Sequence, residues 1–326
     1  MKAEMLERRY NKIKKRLLGN RQKSGILFLL FVYTMLISLG FVYLYPILHM
    51  MVTSIKSLPD LMDASVNWIP TSLSLGNFKE AFEVLNFNKA IWDTILIAVL
   101  PAIGQTICAA LTGYAFARYN FPLKKLMLAL VLVTFVLPPY VLMVSKYTMF
   151  SDYKLLGKLW VLLLPATTGQ GINSAIFVLI FLQFFKQTPL SLDEAARVDG
   201  AGEARIFFGI ALPLAMPAVV VSFLFSLVWY WNETYFTTLF VVNASSGTSN
   251  ALATLLIELA RFETSYKGYL QSVSGTWGVV HSNVSVANEA VKMAATLVTI
   301  TPLLIVYGVM QRQFVQSIDR TGITGE

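Results

Sequence analysis

Gly25-Ile-Leu-Phe-Leu-Leu-Phe-Val-Tyr-Thr-Met-Leu-Ile-Ser-Leu-Gly-Phe-Val-Tyr-Leu-Tyr-Pro-Ile-Leu-His-Met-Met51 contains no Asp, Glu, Lys or Arg. A helix needs about 20 mostly apolar residues to cross the hydrocarbon of a bilayer, and this run is longer. It follows a segment, residues 1–24, that holds nine Lys/Arg and two Glu. The pair reads as a retained first span with its basic flank on the cytoplasmic side. A cleaved signal peptide would have a shorter apolar core followed by a small-x-small site, and none follows here. A nucleic-acid-binding arm would interleave aromatic platforms with the basic residues, and these are missing, so no nucleic-acid partner is expected.

Outward from that run, the whole composition agrees. The 326 residues are 56% hydrophobic and 13% charged, with a mean hydropathy of +0.62. Soluble domains carry roughly 25% charged residues, so an ordinary soluble enzyme is excluded, as is a disordered chain. Of the net +8, the first 24 residues supply +7; the rest holds 17 basic and 16 acidic groups. One cysteine, Cys108, permits no internal disulfide, and His49 and His281 have no metal-ligand spacing, so no metal site is expected.

Six apolar stretches are long enough to span: about 25–51, 91–114, 126–145, 158–184, 209–231 and 290–310. With the N-terminus inside, the C-terminal tail 311–326 is inside too. Loops 1–24, 115–125, 185–208 and 311–326 then carry 17 Lys/Arg, against seven in 52–90, 146–157 and 232–289. That asymmetry has the sign of the positive-inside rule. The expected fold is therefore an all-α membrane protein with six transmembrane helices and cytoplasmic termini. No ionisable side chain sits near the middle of any stretch, as a proton- or ion-coupled carrier would often require. A transporter of this kind would draw its energy from another subunit. The alternative class is a secondary transporter or channel. A membrane-bound enzyme lacks any catalytic grouping, and no Gly-x-x-x-x-Gly-Lys-Ser/Thr loop is present, so the chain should bind no cofactor and no ATP of its own.

Between the fourth and fifth stretches lies Thr188-Pro-Leu-Ser-Leu-Asp-Glu-Ala-Ala-Arg-Val-Asp-Gly-Ala-Gly-Glu-Ala-Arg-Ile-Phe-Phe-Gly-Ile-Ala-Leu-Pro213. This loop reads as a short helix, a tight turn and a second helix. Ser191 is expected as the N-cap, with Glu194 completing a capping box. Asp193 and Glu194 favour the positive end of the helix dipole, and Gly200 suits a left-handed residue after the last turn. Ala195 and Ala196 offer a small face that another protein could approach closely.

The spacing Glu194-Ala195-Ala196, three residues, Gly200, nine residues, Ile210, one residue, Leu212-Pro213 resembles the EAA motif of ABC importer permeases. Further matches run along most of the chain. They include Ser54-Ile-Lys, Trp68-Ile-Pro, Gly76-Asn-Phe, Tyr114-Ala-Phe-Ala-Arg118, Phe121-Pro122, Trp231-Asn232-Glu233, Glu289-Ala-Val-Lys-Met-Ala-Ala and Gln311-Arg-Gln-Phe-Val. Together they resemble the smaller, six-span permease of maltose-type carbohydrate importers, which have the type I ABC importer fold.

The resemblance implies a coupling loop at 188–213, with Ser191, Glu194, Ala195, Ala196, Asp199, Gly200, Ala201, Leu212 and Pro213 meeting an ATPase. It implies a second, homologous permease, two ATP-binding cassette subunits that use ATP and Mg, an extracytoplasmic binding protein, a carbohydrate substrate, membrane lipid, and a bacterial plasma membrane location. The outer loop 243–288, longer than in a minimal relative, would reach the binding protein through Phe262, Tyr266, Tyr269 and Trp277. Gln105, Thr106, Thr112, Gln170, Asn173 and Ser174 could line a sugar path or tie helices together, since polar residues in membranes do both. The tail, Thr321-Gly-Ile-Thr-Gly-Glu326, lacks the lysine usual at that family's end.

Overall fold

The computed structural model describes residues 19–20, 23–243, 252–274 and 284–322. Its elements are α1 (Ile26–Ser54), α2 (Leu58–Met62), α3 (Gly76–Val84), α4 (Phe87–Arg118), α5 (Lys124–Val136), α6 (Met143–Asp152), α7 (Trp160–Thr167), α8 (Ser174–Gln187), α9 (Ser191–Val198), α10 (Glu203–Leu214), α11 (Met216–Asn232), α12 (Leu255–Ala260), α13 (Phe262–Ser274) and α14 (Val284–Gly322). Among the described residues the departures from all-α are an antiparallel pair, Gly19–Asn20 with Lys23–Ser24, and an isolated bridge between Lys56 and Leu73. Two compact units result, one holding residues up to 77 and 282–294, the other 78–281 and the residues from 295 onward.

In the first unit α1 is apolar around its circumference, and only Thr53 and Ser54 at its end are buried. A helix with no polar face is built for lipid or another protein rather than water. The loop after it is tied by polar contacts. Asp60 accepts from the Thr71 hydroxyl and from the Thr71 and Ser72 backbone N–H groups, which hold its carboxyl below the usual range. Lys56 Nζ donates to Val66 O at 2.6 Å, and Asn77 Nδ2 to Ser54 O and Lys56 O at 2.9 Å each.

The second unit is organised by α4, which packs against α7, α8 and α11. Small residues on α4, Ala98, Ala102, Ala109 and Ala110, let the neighbouring backbones come close, as is usual where lipid removes the hydrophobic drive for association. Phe177, Phe181 and Phe185 of α8 fill the space beside Tyr114, and Phe207 of α10 closes that cluster. At the other end of α4, Asp93 Oδ2 accepts from Ala253 N at 3.1 Å and Thr94 Oγ1 from Leu255 N at 2.9 Å, which seats α12.

Among the described residues three helices are long and apolar enough to cross a membrane, within 26–54, 87–118 and 289–311, and three bent pairs would each add one. The expected third, fourth and fifth spans are not single straight helices. The stretch 126–145 breaks between α5 and α6, which diverge by 98°. Pro138-Pro139 removes two N–H donors and pushes Leu137 into extended backbone, ψ 123°. The stretch 158–184 is interrupted between α7 and α8, where Gly169 and Asn173 take positive φ. The stretch 209–231 bends by 77° at Ala215, between Pro213 and Pro217.

Candidate functional site

α9 begins after Pro189, which forces Thr188 into an extended conformation, ψ 131°. Leu190 occupies the N-cap without a side-chain bond, so the expected Ser191–Glu194 capping box does not form; Ser191 is already the first helical residue. Asp193 and Glu194 still stand in the first turn, where the helix dipole favours them. The far end closes as expected, and more completely. Gly200 has φ +80°, Gly200 N donates to Arg197 O at 3.0 Å, and Ala201 N donates to Ala196 O at 2.9 Å. That bond pair is a Schellman motif, and it needs a left-handed residue at position 200. A Cβ there would meet nothing within 4 Å, so the requirement is one of backbone and not of space.

One face of α9 is turned inward. Asp193 is 1% exposed, and its Oδ2 lies 2.8 Å from Nε of Arg118, the last residue of α4. The two groups make a charge contact rather than an aligned hydrogen bond. Arg118 Nη1 also donates to Thr188 O at 3.1 Å. Arg197 grips Glu203 at the start of α10 through Nε and Nη2, at 2.9 and 3.2 Å, and Tyr119 donates to the same carboxylate. Arg197 first, then Tyr119, holds the Glu203 carboxyl below its usual range. Burial, and then that bond, pushes the Tyr119 phenol up to about 12. α9 is thereby fixed to the end of α4 and to α10.

The other face is open. Ser191, Glu194, Ala195 and Val198 share one side at helical spacing, and Val198 is 88% exposed. Ala196 is buried, so the small face expected from Ala195 and Ala196 together reduces to Ala195. Asp199 and Gly200 are exposed, Ala201 and Leu212 half-buried, and Pro213 exposed beside the α10–α11 bend. Sequence reading passed over Val198 and the Arg118–Asp193 pair. The first is an isolated apolar residue, and the second needs two segments far apart in the chain.

Between α5, α6, α7, α8 and α11 lies a half-open cavity of about 350 Å³. Gln170 and Asn173 line it, as expected of path residues. Gln105 and Thr106 do not. Gln105 is buried, donates through Nε2 to Ile172 O at 2.7 Å and accepts from the Tyr230 hydroxyl at 2.8 Å. Thr106 bonds Ala102 O in its own helix. Gln105 thus ties its helix to α11 and to the segment before α8, the alternative its polarity had left open, while Thr106 is satisfied within α4. The network needs Gly171, whose Cβ would sit 2.2 Å from Gln105 Oε1 and 2.5 Å from the Tyr230 oxygen.

In the outer segment, Phe262 and Tyr266 are buried and stacked at 5.5 Å, with Tyr269 half-buried beside them. Tyr266 lies beside Glu80 of α3, whose carboxyl is pushed up chiefly by burial. Phe262 and Tyr266 are thus packing residues and not exposed anchors; α13 seats itself with its aromatic stripe. Trp277 lies outside the described residues.

Several helices apolar and long enough to cross a membrane, with breaks at prolines and glycines around a cavity, are the build of a membrane component. Residues 105–320 match the family of binding-protein-dependent transport system inner membrane components, and the chain belongs to that family. It is 26% identical over 288 residues, 88% of this chain and 95% of the relative, to the polygalacturonan/rhamnogalacturonan transport system permease protein YtcP of Bacillus subtilis strain 168. It is 27% identical over 286 residues, 86% and 91% respectively, to the melibiose/raffinose/stachyose import permease protein MelC of the same organism. The fold is similar to that in the crystal structure of a bacterial ABC transporter involved in the import of the acidic polysaccharide alginate, with a TM-score of 0.68, 20% identity, and coverage of 88% of this chain and 96% of that one. The ABC permease resemblance drawn from residues 194–213 is borne out by the family match.

Proposed function

We propose that this chain is one membrane-spanning half of a carbohydrate importer in the bacterial plasma membrane, driven by ATP through separate subunits. Its six spans are α1, α4, α5 with α6, α7 with α8, α11 and α14, with both termini in the cytoplasm. A second, homologous permease completes the pathway, two ATPases meet α9, and an extracytoplasmic binding protein delivers the saccharide. The carbohydrate class is supported by relatives that carry polygalacturonan, melibiose and raffinose in their names.

The observation that carries this reading is α9, an exposed face of Ser191, Glu194, Ala195 and Val198 backed by the buried Arg118–Asp193 contact. A knob held this way moves as a body with the end of α4. Closure of the ATPases would then reach the helices around the cavity as a rigid-body shift, and alternating access follows.

The test is ATP-dependent saccharide uptake in vesicles holding the assembled importer. Glu194→Lys should leave the four-subunit assembly intact and abolish stimulation of ATP hydrolysis by the loaded binding protein. Full stimulation in that variant removes α9 from the coupling path. Cysteines placed at Ser191 and Ser272 should react with an impermeant reagent from opposite sides. Reaction of both on intact cells overturns the six-span arrangement.

A further inference from the structure

The cavity holds polar groups that the chain itself does not use. Lys146 of α6 lines it, half-buried, and makes no ion pair with any carboxylate among the described residues. Ser174 lines it too; its side chain is nine-tenths buried, at 5% exposure, and Oγ has no hydrogen-bond partner among the described residues. A buried hydroxyl without a partner is unusual enough to ask what else it bonds. Ser174 is also the first residue of α8, a helix of 14 residues, and Asn173 before it gives no side-chain cap. Ser174 N donates to Gly171 O at 3.3 Å and Ile176 N to Asn173 O at 3.1 Å, so what the first turn offers the cavity is the N–H of Ala175, which lines it, and the positive end of the helix dipole.

These features share one sign. An ammonium group, a helix N-terminus and an uncommitted hydroxyl donor together make a place for an anion. Gln170 and Asn173 add amides that make no side-chain hydrogen bond among the described residues and suit the hydroxyls of a sugar ring. Tyr140, 60% exposed and stacked on Phe236 at 5.5 Å, offers an aromatic face for the apolar side of such a ring. One carboxylate, Glu233, lines the same cavity, and its Oε1 already accepts from Phe236 N at 2.7 Å.

We propose that this cavity is a subsite for a carboxylated saccharide, with the acid group held between Lys146 and the α8 N-terminus. The inference rests on the importer reading above and names the class of its cargo. A neutral sugar would leave the Lys146 charge half-desolvated and unpaired, while an acidic one satisfies it. The site thus discriminates by electrostatics rather than by shape.

The experiment uses the assembled importer in membranes, with Cys108→Ser and Asn173→Cys. Thiol labelling rates are compared for an anionic sulfonatoethyl and a cationic trimethylammonioethyl thiosulfonate, each normalised to a free thiol. The anionic reagent should be favoured, and Lys146→Met should lower that preference by about tenfold, while Lys146→Arg retains it. Trigalacturonate should protect the cysteine, and its neutral methyl ester should not. A preference unchanged by Lys146→Met, or a cationic preference, overturns the anion site. Equal protection by acid and ester, or by neither, overturns the carboxylated ligand. Loss of ATP-dependent uptake of every saccharide, with labelling preference and protection intact, sinks the importer reading and leaves the subsite standing.

Discussion

The two ends of the second unit treat polar groups in opposite ways. Where α4 meets α9 and α10, the charged side chains Arg118, Asp193, Arg197 and Glu203 all have partners within the chain. In the cavity beside α8, the side chains of Lys146, Ser174, Gln170 and Asn173 have none among the described residues. Pairing inside the chain fixes geometry. Polar groups without internal partners keep their bonding capacity for something that arrives from outside.

The largest effect should come from breaking the joint. Arg118→Ala or Asp193→Ala leaves one buried charge without its partner, and such losses amount to about 3–5 kcal/mol. Each single variant should melt far earlier in detergent, or fail to assemble, whereas the double replacement Arg118→Met with Asp193→Leu should recover most of the stability. Equal losses in single and double variants would mean that the pair adds nothing beyond its separate side chains.

Gly171→Ala tests the packing between the two regions. The added methyl group meets the Gln105–Tyr230 bond, and overpacking of this kind costs about 1–3 kcal/mol. Calorimetric melting should show it clearly. Gly268→Ala in α13 serves as the contrast, because a Cβ there meets nothing within 4 Å. That variant should gain about 0.4–1 kcal/mol by stiffening the unfolded chain.

Gly200→Ala places a side chain in the left-handed region, a penalty of about 1–2 kcal/mol confined to the end of α9. Assembly should survive, and stimulation of ATP hydrolysis by the binding protein should fall more than basal hydrolysis does. A uniform fall in both would separate α9 geometry from coupling.

The smallest effect is the acid response of the Arg197–Glu203 link. Its folded carboxyl titrates below the ordinary value, so its stabilisation is complete above the ordinary Glu range and fades as pH falls through the lowered one. The groups are exposed, so salt near 1 M should erase most of the difference between Glu203→Gln and the parent. The Arg118–Asp193 contact, being buried, should not respond to the same salt. Melting curves at two salt concentrations separate the two pairs.

Much of α9 could be read from the chain because its signals are local. Pro189 marks its start and Gly200 its end, and the apolar stretches 25–51, 91–114 and 290–310 mark helices by composition alone. The capping box failed because Leu190 already adopts helical angles, which moves the N-cap one residue earlier than the Ser191–Glu194 pattern assumes. The aromatic stripe of α13 was visible at spacings of three and four residues, yet spacing cannot say whether a stripe faces α3 or a partner protein.

Composition, charge asymmetry and helix punctuation act over a few residues, so membrane residence, the span candidates and α9 were already legible at the level of sequence. Arg118 meets Asp193 across 75 positions, and Gln105 meets Tyr230 across 125. Such pairs exist only once α4, α8 and α11 lie side by side, because distance in space is set by the path of the whole chain. The same holds for the cavity. Of the polar residues expected to line it, Gln170, Asn173 and Ser174 do, while Gln105 bonds other elements and Thr106 its own helix; Lys146, which no local pattern singles out as their neighbour, was brought to it by the breaks at Pro138-Pro139 and between α7 and α8.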